Sequence, residues 1–138
     1  MNRMDGKGEE AAYDLCGQII GLAMKVHSKL GPGFLESVYR NALALELRKA
    51  GLKVELEKPI SVYYESELVG AFMADILVNE TTIVELKAVQ MLAKAHEVQL
   101  VNYLTSTGLD DGVLLNFGGP RLEYKKKFRV SKAVPVSL

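Results

Sequence analysis

FMADILVNETTIVELKAV, residues 72–89, carries the alternation around which the rest of the chain is arranged. Two apolar runs flank the polar segment Asn79-Glu80-Thr81, the pattern of two strands joined by a turn. Side chains alternate between two faces along a strand, so Glu85 and Lys87 share one face. In an antiparallel pair, residues directly opposite also share a face. A turn of Asn79, Glu80 and Thr81 pairs Val78 with Thr82 and sets Asp75 opposite Glu85. The same register gathers Phe72, Ala74, Ile76 and Val78 with Val84, Leu86 and Ala88 on a wholly apolar face. A two-residue turn would mix Asp75 into the apolar face of its partner, so hydrophobic matching favours the first register.

The three charges on the arms of this hairpin, Asp75, Glu85 and Lys87, suggest chemistry. Charged groups are rarely buried without a partner. Two opposed carboxylates repel unless a cation lies between them, and oxygen ligands of this kind suit Mg2+ or Mn2+. Lys87 has only donors, so it is no ligand; it can orient a water or offset charge growing on a phosphate. The competing account is a surface Glu85–Lys87 ion pair worth roughly 0–1 kcal/mol. The apolar flanks Ile83, Val84, Leu86, Ala88 and Val89 weigh against a solvated face.

Outward from the hairpin, the chain alternates between helical and extended patterns. Residues 1–10 are polar and read as a flexible arm, with a single domain over 11–138. Leu15, Ile19, Leu22, Ala23 and Val26 recur at helical spacing from Ala11 to about Leu30, before Gly31-Pro32-Gly33. His27, in the last turn, is expected to cap carbonyls or face solvent. A second helix is expected over 35–50, with Leu35, Val38, Ala42 and Leu45 as one stripe and Tyr39, Leu43 and Leu47 widening it. Glu36 falls in its first turn, where a dipole-favoured surface glutamate paired with Arg40 is the plain account.

Strands are expected at 52–57 and 60–64, interrupted by Pro59, then at 68–78 and 82–89. A helix over 92–107 stops at Gly108; its His96, Gln99 and Tyr103 share a polar face, where an amide can bond a carboxylate and a phenol a phosphate oxygen. A buried strand at 112–117 and a basic strand at 122–130 close the chain. Lys125, Lys126, Lys127 and Arg129 on that last strand could meet phosphates, or could simply guard a sheet edge. The sum is a mixed α/β sheet with helices packed against it.

Composition limits the partners. Of 138 residues, 49% are hydrophobic, enough for a core. Lys+Arg and Asp+Glu both number 17, so bulk charge does not argue for nucleic acid, although a local patch can. The single cysteine, Cys16, excludes an intrachain disulfide and fits a reducing, cytoplasmic setting. It lies in the apolar stripe with no base in view, so thiol chemistry is a poor reading. The polar N-terminus shows no signal peptide, and no apolar run reaches the ~20 residues of a membrane span.

These residues resemble the PD-(D/E)XK nuclease superfamily, and within it the GxxExxY proteins. Gly33 to Tyr39, GFLESVY, carries the naming motif; Ala74-Asp75 stands where the PD lies, Glu85-Leu86-Lys87 matches the ExK, and Gln99 and Tyr103 match a QxxxY helix motif. LLNFG, residues 114–118, resembles the closing strand. The likeness spans about residues 15–130. It implies a restriction-endonuclease-like core with a central mixed β-sheet flanked by α-helices. It also implies Mg2+- or Mn2+-dependent cleavage of phosphodiester bonds; superfamily members cut DNA or RNA, and DNA is expected ahead of RNA. Carried over, Asp75, Glu85, the Leu86 carbonyl and Glu36 would hold the metal, Lys87 would position water, and Gln99 would support them. Tyr103, Lys125, Lys126, Lys127 and Arg129 would meet nucleic acid. Related nucleases are often dimeric, so a homodimer is a further expectation. The alternative is a nucleic-acid-binding or assembly module on the same fold without catalysis.

Overall fold

The computed structural model describes residues 3–130, with side chains from Leu15 onward. Helix α1 spans Arg3–Leu30 and α2 spans Glu36–Lys49; β1 (Val54–Tyr64), β2 (Glu67–Val78) and β3 (Thr82–Lys87) follow. Helix α3 (Lys94–Thr107) leads to β4 (Asp111–Asn116) and β5 (Glu123–Phe128). Helix α1 begins ahead of Ala11, so its first turns overlap the expected arm, whose side chains, with Met1 and Asn2 altogether, lie outside the described residues.

One five-stranded sheet runs in the order β1-β2-β3-β4-β5. Neighbours are antiparallel except β3 and β4, which are parallel and joined through α3, the crossover that parallel neighbours need. Val78 pairs with Thr82, Leu77 with Ile83 and Ile76 with Val84. The odd-numbered turn and its register are therefore those that hydrophobic matching selects. Asn79 and Glu80 turn the chain with φ of 52° and 61°.

Helices cover both faces. Ile19, Ala23 and Val26 of α1 and Tyr39, Leu43 and Leu47 of α2 bury against Ile76, Val78, Val84, Leu86, Val113, Leu115 and Phe117. On the other face Leu100 and Leu104 of α3 bury against Ala74, Leu77, Ile83 and Leu114. Glu85 and Lys87 alternate with Val84 and Leu86, so they point to the α3 side.

Four expectations need correction, the last of them the placement of His27. The apolar face does not run unbroken through β2: Ala74 and Phe72 pack with the α3 cluster, whereas Ile76 and Val78 pack under α1 and α2. The change falls at Asp75, where β2 faces Glu57, a residue with φ of 49°. On the N-terminal side of Ile76, β2 has no paired β3 neighbour, so the β1–β2 ribbon is free to coil there. Second, Pro59 does not divide β1. It sits on an edge strand, where a missing N–H is tolerated.

Third, α2 buries Tyr39, Leu43, Ala44 and Leu47, while Leu35 is 76% exposed and Leu45 58%. Both stripes have helical spacing, and Tyr39 selects between them. Its ring stacks on Phe117 with centroids 4.6 Å apart, and its hydroxyl donates to the Gly31 carbonyl and accepts the Phe34 N–H. The tyrosine of GFLESVY thus ties the α1–α2 loop to the start of the helix that carries Glu36. His27 is buried, neither solvent-facing nor capping its own helix: its Nε2 donates to the Gly119 carbonyl at 2.9 Å. Among the described residues no helix is long and apolar enough to cross a membrane.

Candidate active site

The β2–β3 ladder ends at the Ile76–Val84 pair. One step further, the Asp75 carboxylate accepts the Leu86 N–H at 2.8 Å, taking the place of a ladder carbonyl. In a strand the N–H and C=O of one residue point the same way, so the Leu86 carbonyl also opens toward Asp75. Glu85 lies between Val84 and Leu86, both fully buried. One of its oxygens, Oε1, is buried and has no hydrogen-bond partner among the described residues. Burial first, and then the negative charge of Asp75, push the Glu85 carboxyl up to about 9 from an ordinary 4.5; the Lys87 charge pulls weakly the other way. A buried acceptor left orphaned beside a second carboxylate is a costly arrangement in a finished core. It fits a cation: two carboxylates and a carbonyl converge where positive charge would relieve all three.

Lys87 ends β3 on the same face as Glu85 and forms no ion pair among the described residues. A Glu85–Lys87 surface pair is therefore absent. Helix α3 closes the site from above. Tyr103 stacks on Phe72, rings 3.5 Å apart at 7°. Its hydroxyl is shifted upward by burial and by the charge of Glu85, against a hydrogen bond from Gln99, with Asp75 adding a smaller upward push. Gln99 itself is exposed. Thus Asp75, Glu85, Tyr103 and Gln99 form one neighbourhood, with Lys87 at its edge. His96, from the same polar face, is used locally: its Nδ1 accepts the Ala93 N–H at 3.1 Å and caps the helix.

Glu36 is not drawn into the cluster. It is exposed at the first turn of α2, and among the described residues no three His, Cys, Asp or Glu side chains gather closely enough to hold a metal. The basic residues of β5 do not form one patch either. Lys125 and Lys127 act on Glu97 of α3, and Lys127 pairs with it at 2.6 Å. Lys126 alternates to the other face, where its charge reaches Cys16. Arg129 is paired with Asp110 at 2.7 Å. β5 is the sheet edge, as the guarding role requires.

Two residues that sequence reasoning passed over lie beside the site. Asn116, fully buried at the end of β4, and Glu123 on β5 bond each other at 2.8 Å and hold the chain that leaves β3. The signal was a lone amide in the apolar run VLLNF, a buried polar group in need of partners.

The fold resembles that of a solved crystal structure, SSO0001, with a TM-score of 0.54 and 16% identity, over 70% of this chain and 52% of that one. This chain thus spans about half the length of that protein. No curated protein matches the sequence. A family model described as the PD-(D/E)XK nuclease superfamily matches residues 13–128, which takes in every strand of the sheet and both Asp75 and Glu85. With its five-stranded mixed sheet flanked by helices in the restriction-endonuclease-like manner, the chain belongs to the PD-(D/E)XK nuclease superfamily.

Proposed function

We propose that this protein is a metal-dependent nuclease of the GxxExxY group that hydrolyses phosphodiester bonds, of DNA before RNA. The observation that carries the reading is the buried, unpartnered Oε1 of Glu85 opposite Asp75. Asp75, Glu85 and the Leu86 carbonyl would hold Mg2+ or Mn2+, without Glu36, whose helix packs on the other face of the sheet. When bound, the ion supplies the positive charge that lets Glu85 ionise and that polarises a phosphodiester.

The protein's own groups do the rest. Lys87, on the Glu85 face without a competing carboxylate, donates hydrogen bonds to an attacking water or a phosphate oxygen. The water oxygen forms the new P–O bond as the leaving P–O bond breaks; the water's proton passes to solvent, and the leaving oxygen keeps the bonding pair and takes a proton from solvent. The Tyr103 hydroxyl stays protonated as a donor, and Gln99 orients it. Lys125 remains the β5 residue best placed for a phosphate on this side.

The test is a cleavage panel of single-stranded, duplex and branched DNA and of RNA with Mg2+ and Mn2+. Wild type is expected to cut at least one form. Asp75→Asn is expected to lose at least about a hundredfold in rate, and to lose the upward melting shift that Mn2+ gives wild type. Absence of both cleavage and melting shift in wild type would favour the non-catalytic module. Self-association belongs to the same reading, supported by Tyr63, Tyr64, Leu68 and Val69, all more than half exposed near the end of the β1–β2 ribbon. Sedimentation velocity at micromolar concentration should show a dimer; a monomer at every concentration sinks that part.

A further inference from the structure

Lys87 is the last residue of β3, and the chain diverges from β4 directly after it. A strand end of this kind frays unless its backbone groups are held. Here both flanking groups are held by consecutive residues of one neighbour. The Phe117 N–H donates to the Lys87 carbonyl at 2.9 Å, and the Val89 N–H donates to Asn116 Oδ1 at 2.9 Å. The second bond falls where a parallel ladder would continue if the strands stayed together. The Asn116 side chain supplies it after they part.

The surroundings allow only an amide there. Asn116 Oδ1 also accepts the Gly118 N–H at 3.0 Å, so two donors converge on the oxygen. Its Nδ2 donates to Glu123 Oε1 at 2.8 Å, and the same Glu123 oxygen accepts the Leu92 N–H at 3.1 Å. A carboxylate at 116 would face Glu123 with like charge, and an apolar side chain would orphan two backbone donors. Lys87, Asn116 and Glu123 lie side by side across three strands. Asn116 follows Leu115, which faces α1 and α2, so its side chain lies on the Glu85–Lys87 side of the sheet. The clamp therefore reaches from the end of β3 to Leu92, two residues before the α3 that carries Gln99 and Tyr103.

We propose that Asn116, locked by Glu123, is a positioning residue for catalysis: it fixes where the Lys87 ammonium sits relative to the two carboxylates and keeps α3 in register with them. The inference rests on the nuclease reading. It concerns Lys87 and not the metal-holding pair, since Asp75 and Glu85 are anchored by the Leu86 N–H and the core of the hairpin.

The test uses full-length Asn116→Asp, Glu123→Gln and the double variant on whichever substrate wild type cuts, with kcat and KM measured separately and folding followed by circular dichroism. Asn116→Asp keeps acceptance from Val89 and Gly118 but opposes Glu123. It is expected to lower kcat about tenfold or more, with KM and the Mn2+ melting shift within about twofold of wild type. The double variant reverses the polarity of the pair: the amide introduced on β5 donates to the carboxylate introduced on β4. It is expected to recover kcat to within about threefold. A merely structural residue would move stability without that reciprocal recovery.

Unchanged kcat in folded Asn116→Asp, or a change in KM alone, would overturn the proposal. So would a folded double variant still tenfold or more below wild type. If Asn116→Asp does not fold, the double variant is judged directly against wild type by the same limits. A wild-type protein that cuts nothing removes the nuclease reading and this inference with it, an outcome distinct from active variants.

Discussion

Glu85→Gln is expected to make the metal-free protein more stable while abolishing cleavage and the response to Mn2+. In the folded chain the Glu85 carboxyl titrates at about 9, against 4.5 ordinarily, because burial and Asp75 both oppose its charge. A carboxyl whose folded pKa is raised contributes its full stability below 4.5, where both states are protonated, and loses it as pH rises through 9. Between those values the unfolded chain holds the ionised form, and folding must take up a proton. At pH 7 this costs about 3 kcal/mol, taking 1.36 kcal/mol per unit over the roughly 2.5 units between 4.5 and 7.

Glutamine is neutral throughout, so its advantage should be small in mild acid and grow toward pH 9. The amide loses part of it to its own burial, leaving about 1–3 kcal/mol near neutrality. Melting curves of both proteins in chelator across pH measure the divergence. Added Mn2+ should reverse the order, since metal binding recovers the ionised carboxylate and releases its proton. A variant less stable than wild type at every pH, or one that keeps the Mn2+ shift, contradicts this account of the site.

Gly118→Ala is expected to be among the most damaging single substitutions in the chain. A Cβ on Gly118 would lie 2.2 Å from the Val89 carbonyl oxygen and 2.5 Å from the Val89 nitrogen. Both are backbone atoms of the segment that leaves β3 after Lys87, so no rotamer change can relieve the overlap. The segment would have to move and would break the Asn116–Val89 bond as it did so. A loss of about 3 kcal/mol or more is expected in urea denaturation. Gly119→Ala is the control: its Cβ would meet only Arg121 and Gln90 carbonyl oxygens at 3.5 and 3.7 Å, ordinary contacts, and should cost below about 1 kcal/mol. Equal effects from the two would mean that the close approach at Gly118 is relieved elsewhere.

What could be read from residue order differs from what could not by the range of the forces involved. Strand alternation is local, and a one-residue slip moves every side chain to the wrong face, so the hairpin register follows from the pattern in residues 72–89. The motifs around Asp75, Glu85, Lys87 and Gln99 led to the superfamily for the same reason: the spacing of chemical groups along strands and helices is a local property.

Long-range packing decided the rest. Two apolar stripes compete on α2, and only the meeting of Tyr39 with Phe117, far along the chain, buries one of them. The four cations of β5 look like one patch in sequence, yet alternation divides them between two faces, and Glu97 and Asp110 neutralise two of them. Asn116 is a single polar letter in an apolar run until β4 is laid beside β3, when its amide becomes the partner of Val89 and Glu123. The sequence alone determined that Asp75 faces Glu85. That an oxygen of Glu85 is left without a partner, and its charge opposed, was decided only when sheet and α3 enclosed it, because desolvation is a property of the assembled core and not of any segment.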